Sequence, residues 1–319
     1  MSEVDRDALE GKIQYGELIQ AVKHMKNNKT PGTDGYPIEF FKFFWKDFGK
    51  IILLAINESY DDGEFSFVQR EGVITCVPKA EKDRKFLKNW RPITLLNTIY
   101  KIASTCIANR LRTVMDSIIS IEQKGFMKGR YIGENTRLIY DLLHYTSTQN
   151  IPGLLMLVDF EKAFDTISRR FIFDCLHLFG FGLSFIRWIE TLNKYSSARI
   201  LQNGYLTKSL SISRGCRQGD PIASFLFLIG AQVLNILCNE NDQITGIKLN
   251  ENEFRIAQYS NYNEFLFDGT EKSLAATIDM LKYFESISGL KINIEKTRLI
   301  WIGSMCKSKR QMCPTIGLD

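Results

Sequence analysis

The chain has 319 residues, 45% of them hydrophobic and 24% charged, with a formal net charge of +5. That balance excludes a disordered chain and fits one large or two modest globular domains with a substantial core. No apolar run approaches membrane-spanning length, and the opening Met-Ser-Glu-Val-Asp-Arg-Asp is too acidic and polar for a signal peptide. Seven cysteines make no C-x-x-C pair; Cys76, Cys106, Cys175 and Cys238 sit among apolar residues and read as reduced thiols of an intracellular protein, nuclear or cytoplasmic, while Cys306 and Cys313 are expected to stay unpaired. The three histidines lie near no other candidate ligand, which disfavours a histidine-based metal or nucleophile site.

In chain order, Leu18, Ile19, Val22 and Met25 predict an amphipathic helix over 16–27, ended by the turn-rich Lys29-Thr30-Pro31-Gly32-Thr33-Asp34-Gly35. A second helix from about Pro37 carries Phe40, Phe41, Phe44, Trp45 and Phe48 at helical spacing, an aromatic stripe expected to pack in the core. A strand over 73–77 leads into Lys79, Lys82, Arg84, Lys85, Lys88 and Arg91, set against only Glu81 and Asp83; the cluster reads either as a phosphate grip or as a solvated loop. After an extended stretch at 92–97, the clearest helix runs from Ile99 to Ile118, apolar along one face for five turns.

Leu154 to Val158 is a continuous apolar run, as expected for a strand buried on both faces, and Asp159 ends it just before a charged, helical segment. A carboxylate so placed is the one residue whose functional reading stands unaided. Asn203-Gly204 predicts a tight hairpin between 198–202 and 205–212. Residues 221–237 predict a buried helix, 254–259 and 264–267 a second hairpin around Ser260-Asn261-Tyr262-Asn263, 272–287 a helix and 298–302 a last strand. The mixture predicts an α+β fold with a largely antiparallel sheet.

Taken together, six strings in this order resemble the reverse transcriptase of non-long-terminal-repeat, LINE-type retrotransposons over about residues 15–303: Lys29 to Gly35; Asn89-Trp90-Arg91-Pro92-Ile93 with Leu95-Leu96-Asn97; Gln123-Lys124-Gly125-Phe126 with Gly129-Arg130; Asp159 to Asp165; Arg214 to Pro221; and Ser288 to Asn293 with Lys296-Thr297. The resemblance implies a right-hand polymerase with fingers, palm and thumb, copying RNA into DNA with two Mg²⁺ ions. Residues 1–150 would hold the fingers with part of the palm, 151–303 the palm, and 304–319 a short tail or the start of a thumb. In that picture Asp159 is the first metal-binding Asp, Phe160 offers a carbonyl ligand, and Phe164 resembles the steric gate against a ribose 2′-hydroxyl. Lys79 and Arg91 resemble residues that grip the incoming deoxynucleotide and template. Gln218 and Gly219 resemble the loop beneath the nucleotide, where glycine lets the backbone approach. Asp165 is expected to cap the following helix.

The same family places Tyr-Ala-Asp-Asp at the second hairpin's tip. Here Tyr259 is followed by Ser260, and Asn261 and Tyr262 stand at the positions of the two acids. Two Mg²⁺ ions need several anionic oxygens, and an amide and a phenol are poor substitutes. Loss of about 5 kcal/mol of transition-state stabilisation would slow the reaction several-thousand-fold. The expectation is a catalytically defective domain with weak or lost Mg²⁺ binding, in which Glu264 and Asp268 lie too far along the outgoing strand to help, while Asn261 keeps the turn through its tolerance of left-handed backbone. Pro221-Ile222-Ala223-Ser224 and Gln232 depart from the family pattern as well. With no endonuclease ahead of Met1 and some sixteen residues after Gly303, the thumb is expected to be largely absent and the chain a truncated or decayed copy. Expected partners are an RNA template or RNA–DNA hybrid, weakly held, and no membrane; a non-enzymatic module that binds RNA or an RNA–DNA hybrid or serves as a protein scaffold is the alternative, and an active RNA-directed DNA polymerase is the third reading.

Overall fold

A computed structural model describes residues 1–307, so Cys313 and most of the 304–319 tail lie outside the described residues. In chain order the strands are β1 Glu71–Pro78, β2 Trp90–Leu95, β3 Pro152–Asp159, β4 Ser197–Gln202, β5 Tyr205–Leu206, β6 Leu210–Ser211, β7 Ile247–Leu249, β8 Asn252–Phe254, β9 Ile256–Tyr259, β10 Tyr262–Phe267 and β11 Arg298–Gly303. The chain forms two compact units, one of residues 1–115 and 173–226, the other of 116–172 and the chain from Phe227 onward.

In the first unit the sheet runs β2-β1-β4-β5, with β6 also on β4. Its β1–β4 pair is parallel and the rest antiparallel. Asn203 and Gly204 take φ of +50° and +83°, closing the β4–β5 hairpin in two residues as their sequence predicts. The helix Thr98–Ile118 buries Tyr100, Ala103, Ile107 and Leu111, and Arg110 on its buried side binds Glu17 (2.6 Å) and the carbonyls of Leu9, Gly11 and Lys12, tying down the N-terminal segment. The aromatic stripe does not pack as expected. Helices Ile38–Phe43 and Trp45–Asp62 break at Phe44, so the stripe is divided: Phe41 is buried, whereas Phe44 and Phe48 lie outside the face formed by Gly49, Ile52 and Ile56 and are 37% and 40% exposed.

In the second unit all pairings of the sheet β11-β3-β10-β9 are antiparallel, and β7–β8 is a separate hairpin. Leu155, Leu266 and Ile302 pack on one sheet face with Leu142 of the helix Ile132–Thr148. Met156, Val158, Phe265 and Phe267 are buried on the other, which explains the unbroken apolar run of β3. Among the described residues no helix is long and apolar enough to cross a membrane. Cys106, Cys175 and Cys238 are free thiols pushed by burial to about 12.

Candidate active site

β3 delivers Asp159 to the end of the second unit's sheet, where the register pairs it with Tyr262, the first residue of β10. The β9–β10 turn is Ser260-Asn261, and the left-handed residue is Ser260 (φ +58°), not Asn261 as the sequence led us to expect. Asn261 is thereby free to aim its side chain inward. Its Nδ2 donates to Asp159 Oδ1 at 2.7 Å, and Lys296 Nζ donates to Asp159 Oδ2 at 2.6 Å. Lys296 arrives because the chain at 291–293 hydrogen-bonds alongside β3: Asn293 N donates to the Asp159 carbonyl and Glu161 N to that of Lys291, both at 2.8 Å, around a Phe160–Ile292 bridge. The hydrogen bond to Asp159 holds the Lys296 ammonium above its usual range. Asp159 is 4% exposed, and both of its oxygens are engaged by donors of this chain.

This donor set does not fit two Mg²⁺ ions. One carboxylate, an amide whose nitrogen faces it, a phenol and an ammonium give no cage of anionic oxygens. Among the described residues no three His, Cys, Asp or Glu side chains are grouped to hold a metal. Glu264 shares the Asp159 face but pairs with Leu157, one strand repeat away, and burial raises its pKa. Asp268 is occupied, accepting from the Thr270 N–H (3.0 Å) and hydroxyl (2.8 Å) at the start of the helix Glu271–Ser288. Asp165 lies inside the short helix Ala163–Thr166, and at the start of the helix Arg169–Leu178 Ser168 Oγ accepts from Phe171 N at 3.4 Å. Phe160 is buried at 5.9 Å from the Phe284 ring, and Phe164 stacks on Phe227 at 4.6 Å.

A buried amide network beneath the hairpin escaped sequence reasoning. Gln123 Oε1 accepts from Ser260 N and Gly125 N, each at 2.8 Å, and its Nε2 donates to Ser260 O at 3.3 Å, gripping the left-handed residue on both sides. Gln258 donates to Asn263 Oδ1 (2.7 Å) and accepts from Asn235 Nδ2 (3.2 Å), and Asn263 returns a bond to the Asn261 carbonyl at 3.1 Å. The string Gln123-Lys124-Gly125-Phe126 was the only available signal. Its glycine has a plain reason, since a Cβ at Gly125 would lie 2.4 Å from Ser260 N.

The remaining predicted residues belong to the first unit. Lys79 Nζ donates to the Lys88 carbonyl (2.8 Å), Asn89 Nδ2 to that of Asp83 (2.7 Å) and Trp90 Nε1 to that of Arg84 (2.9 Å), so the loop's own donors take up its carbonyls. Lys82, Arg84, Lys85, Lys88 and Arg91 are left exposed to solvent, and Arg91 has no ion-pair partner among the described residues. Thr94, three residues along β2 from Arg91, donates its N–H to the Gln218 carbonyl at 2.7 Å. Gly219 has φ +112°, and a Cβ there would lie 2.5 Å from the Thr94 carbonyl oxygen. Close approach to the protein's own strand therefore already demands glycine. The flanking Arg217 and Asp220 are anchors that sequence reasoning passed over: Arg217 lies 4.4 Å over the Tyr100 ring and donates to the Arg70 and Leu192 carbonyls, while Asp220 accepts from Tyr100 Oη (2.7 Å) and Ser104 Oγ. The Lys29–Gly35 string is likewise docked, with Asn97 Oδ1 accepting from Thr33 Oγ1 and Asp34 N at 3.3 Å.

Residues 77–312, more than half of the chain, match the family model described as reverse transcriptase (RNA-dependent DNA polymerase). The chain is 31% identical over 96% of its length to the transposon TX1 uncharacterized 149 kDa protein of Xenopus laevis. It is 24% identical over 70% of its length to the Pol polyprotein of the type-2 retrotransposable element R2DM, and 20% identical over 96% to the RNA-directed DNA polymerase from mobile element jockey, both of Drosophila melanogaster. It spans only 23%, 20% and 33% of those relatives. The chain belongs to the reverse transcriptase family, among relatives carried by non-long-terminal-repeat retrotransposons.

Proposed function

We propose that the chain is the fingers-and-palm portion of a right-hand RNA-directed DNA polymerase whose chemistry has been lost, leaving a domain that binds RNA or an RNA–DNA hybrid. One observation carries the reading: the single remaining carboxylate, Asp159, is neutralised by Lys296 and hydrogen-bonded by Asn261, with Tyr262 where the other acid belongs. Mg²⁺ binding is weak or absent for the same reason. Lys82, Arg84, Lys85, Lys88 and Arg91 supply phosphate contacts, and Lys79, Arg91, Gln218 and Gly219 are the residues that would meet a deoxynucleotide. Binding of this kind weakens steeply with salt, and Lys82→Ala, Lys85→Ala and Lys88→Ala together flatten that slope by about one unit per phosphate contact removed.

Primer extension on an RNA template with Mg²⁺ and with Mn²⁺ tests the catalytic half, comparing the unmodified chain, Asp159→Ala, and Asn261→Asp with Tyr262→Asp. The expected result is extension only by the double substitution; extension by the unmodified chain that Asp159→Ala abolishes refutes the reading. A protein-scaffold role is favoured by one observation, the exposed run Phe43, Phe44, Phe48 and Ile51 in the first unit, and requires that nucleic-acid binding be negligible at physiological salt.

A further inference from the structure

The hairpin tip that lacks its acids carries an aromatic surface instead. Tyr262 is 52% exposed and Tyr259, its cross-strand neighbour, 37%; the register puts both on the sheet face of Asp159. Among the described residues neither phenol has a hydrogen-bond partner and neither ring stacks on another. The Lys296 side chain, 59% exposed, meets the same spot through its bond to Asp159, whose cross-strand neighbour is Tyr262. Across the turn, the backbone at Gly125 approaches Ser260, and the next residue, Phe126, is 52% exposed with its ring edge-on to Phe164 at 6.1 Å.

Charge at the tip no longer calls for a metal. In a two-metal site the cations admit phosphate among carboxylates; here Lys296 already balances Asp159. Glu264, one repeat along the face, is biased by burial toward its neutral form, and the exposed Glu161 and Glu295 are offset by the exposed Lys162 and Lys291. An approaching phosphate therefore meets a locally neutral surface, the exposed side of the ammonium that pairs with Asp159, and two unoccupied aromatic rings. A protein partner would find no continuous apolar face, because Asp159, Asn261 and Lys296 interrupt it.

We propose that Tyr262 and Tyr259, with Lys296, form a metal-independent stacking site for single-stranded nucleic acid, the bases lying against the phenol rings and a backbone phosphate toward the ammonium. Stacking of this kind is indifferent to sequence, because every base presents a π face. The inference rests on the reading of a polymerase without its metals and adds a contact separate from the basic segment 79–91.

The test uses the full chain in EDTA with an oligouridylate. Anisotropy gives the affinity, and a copy carrying one photoreactive iodouracil is crosslinked and mapped by mass spectrometry. A crosslink within 259–262, a loss of about tenfold in affinity for Tyr262→Ala, a smaller loss for Tyr259→Ala, full retention by Tyr262→Phe and indifference to millimolar Mg²⁺ are expected. Unchanged affinity in both alanine variants with crosslinks confined to 79–91 overturns the stacking site while leaving binding through the basic segment intact. No binding by the unmodified chain overturns both binding claims, whereas loss of polymerisation is judged separately by primer extension.

Discussion

Asn261→Asp converts the donor of a 2.7 Å hydrogen bond to Asp159 into a second carboxylate at the same spot. A hydrogen bond to a charged acceptor is worth about 1.5–3 kcal/mol. Two carboxylates about 4 Å apart repel by about 4 kcal/mol at an effective dielectric of 20. The pair escapes most of this by sharing a proton or turning one group outward, so the net loss is on the order of 2 kcal/mol at neutral pH. The sign of the pH dependence follows: sharing raises a folded-state pKa above its unfolded value, so between the two values the native state holds more protons and stability falls as pH rises. The deficit is thus full at about pH 8 and small near pH 4. Adding Tyr262→Asp completes a cation site, and Mg²⁺ at about 100 times its dissociation constant returns about 2.7 kcal/mol. Urea midpoints at both pH values, with Mg²⁺ and with EDTA, measure each part. The reasoning fails if Asn261→Asp matches the unmodified chain at high pH in EDTA, or if Mg²⁺ stabilises the unmodified chain.

Gly219→Ala meets the Thr94 carbonyl at a φ that alanine rarely adopts, and a loss of about 2 kcal/mol in urea denaturation is expected; an unchanged midpoint refutes the backbone argument. Tyr100→Phe removes the hydroxyl that donates to the half-buried Asp220, costing about 1.5–3 kcal/mol, and thermal melting that shows no shift would exclude this anchor. Burial raises the Glu264 pKa, so that carboxyl destabilises the fold increasingly as pH climbs above its ordinary 4.5; Glu264→Gln should resist urea better at neutral pH and lose the advantage in acid. Equal midpoints for the two proteins at neutral pH would show that Glu264 is solvated.

Several elements were legible in the sequence because nearest neighbours decide them. Asn203-Gly204 sets its own turn through backbone preference, the apolar run 154–158 announces a strand buried on both faces, and the periodicity of 99–118 marks a helix. Motif order was enough to recognise the family, and two substitutions, Asn261 and Tyr262, were enough to question its chemistry. What stands around Asp159 was decided by tertiary structure alone. Asn261 is 102 residues from its partner, Lys296 is 137 from the same carboxylate, and Gln123 is 137 from the turn residue it grips. No local pattern encodes such meetings; they arise where sheet register and a returning loop bring side chains to one point. The break at Phe44 and the left-handed Ser260 belong to the same class, since local propensity tolerates other choices there and packing and hydrogen bonding select between them.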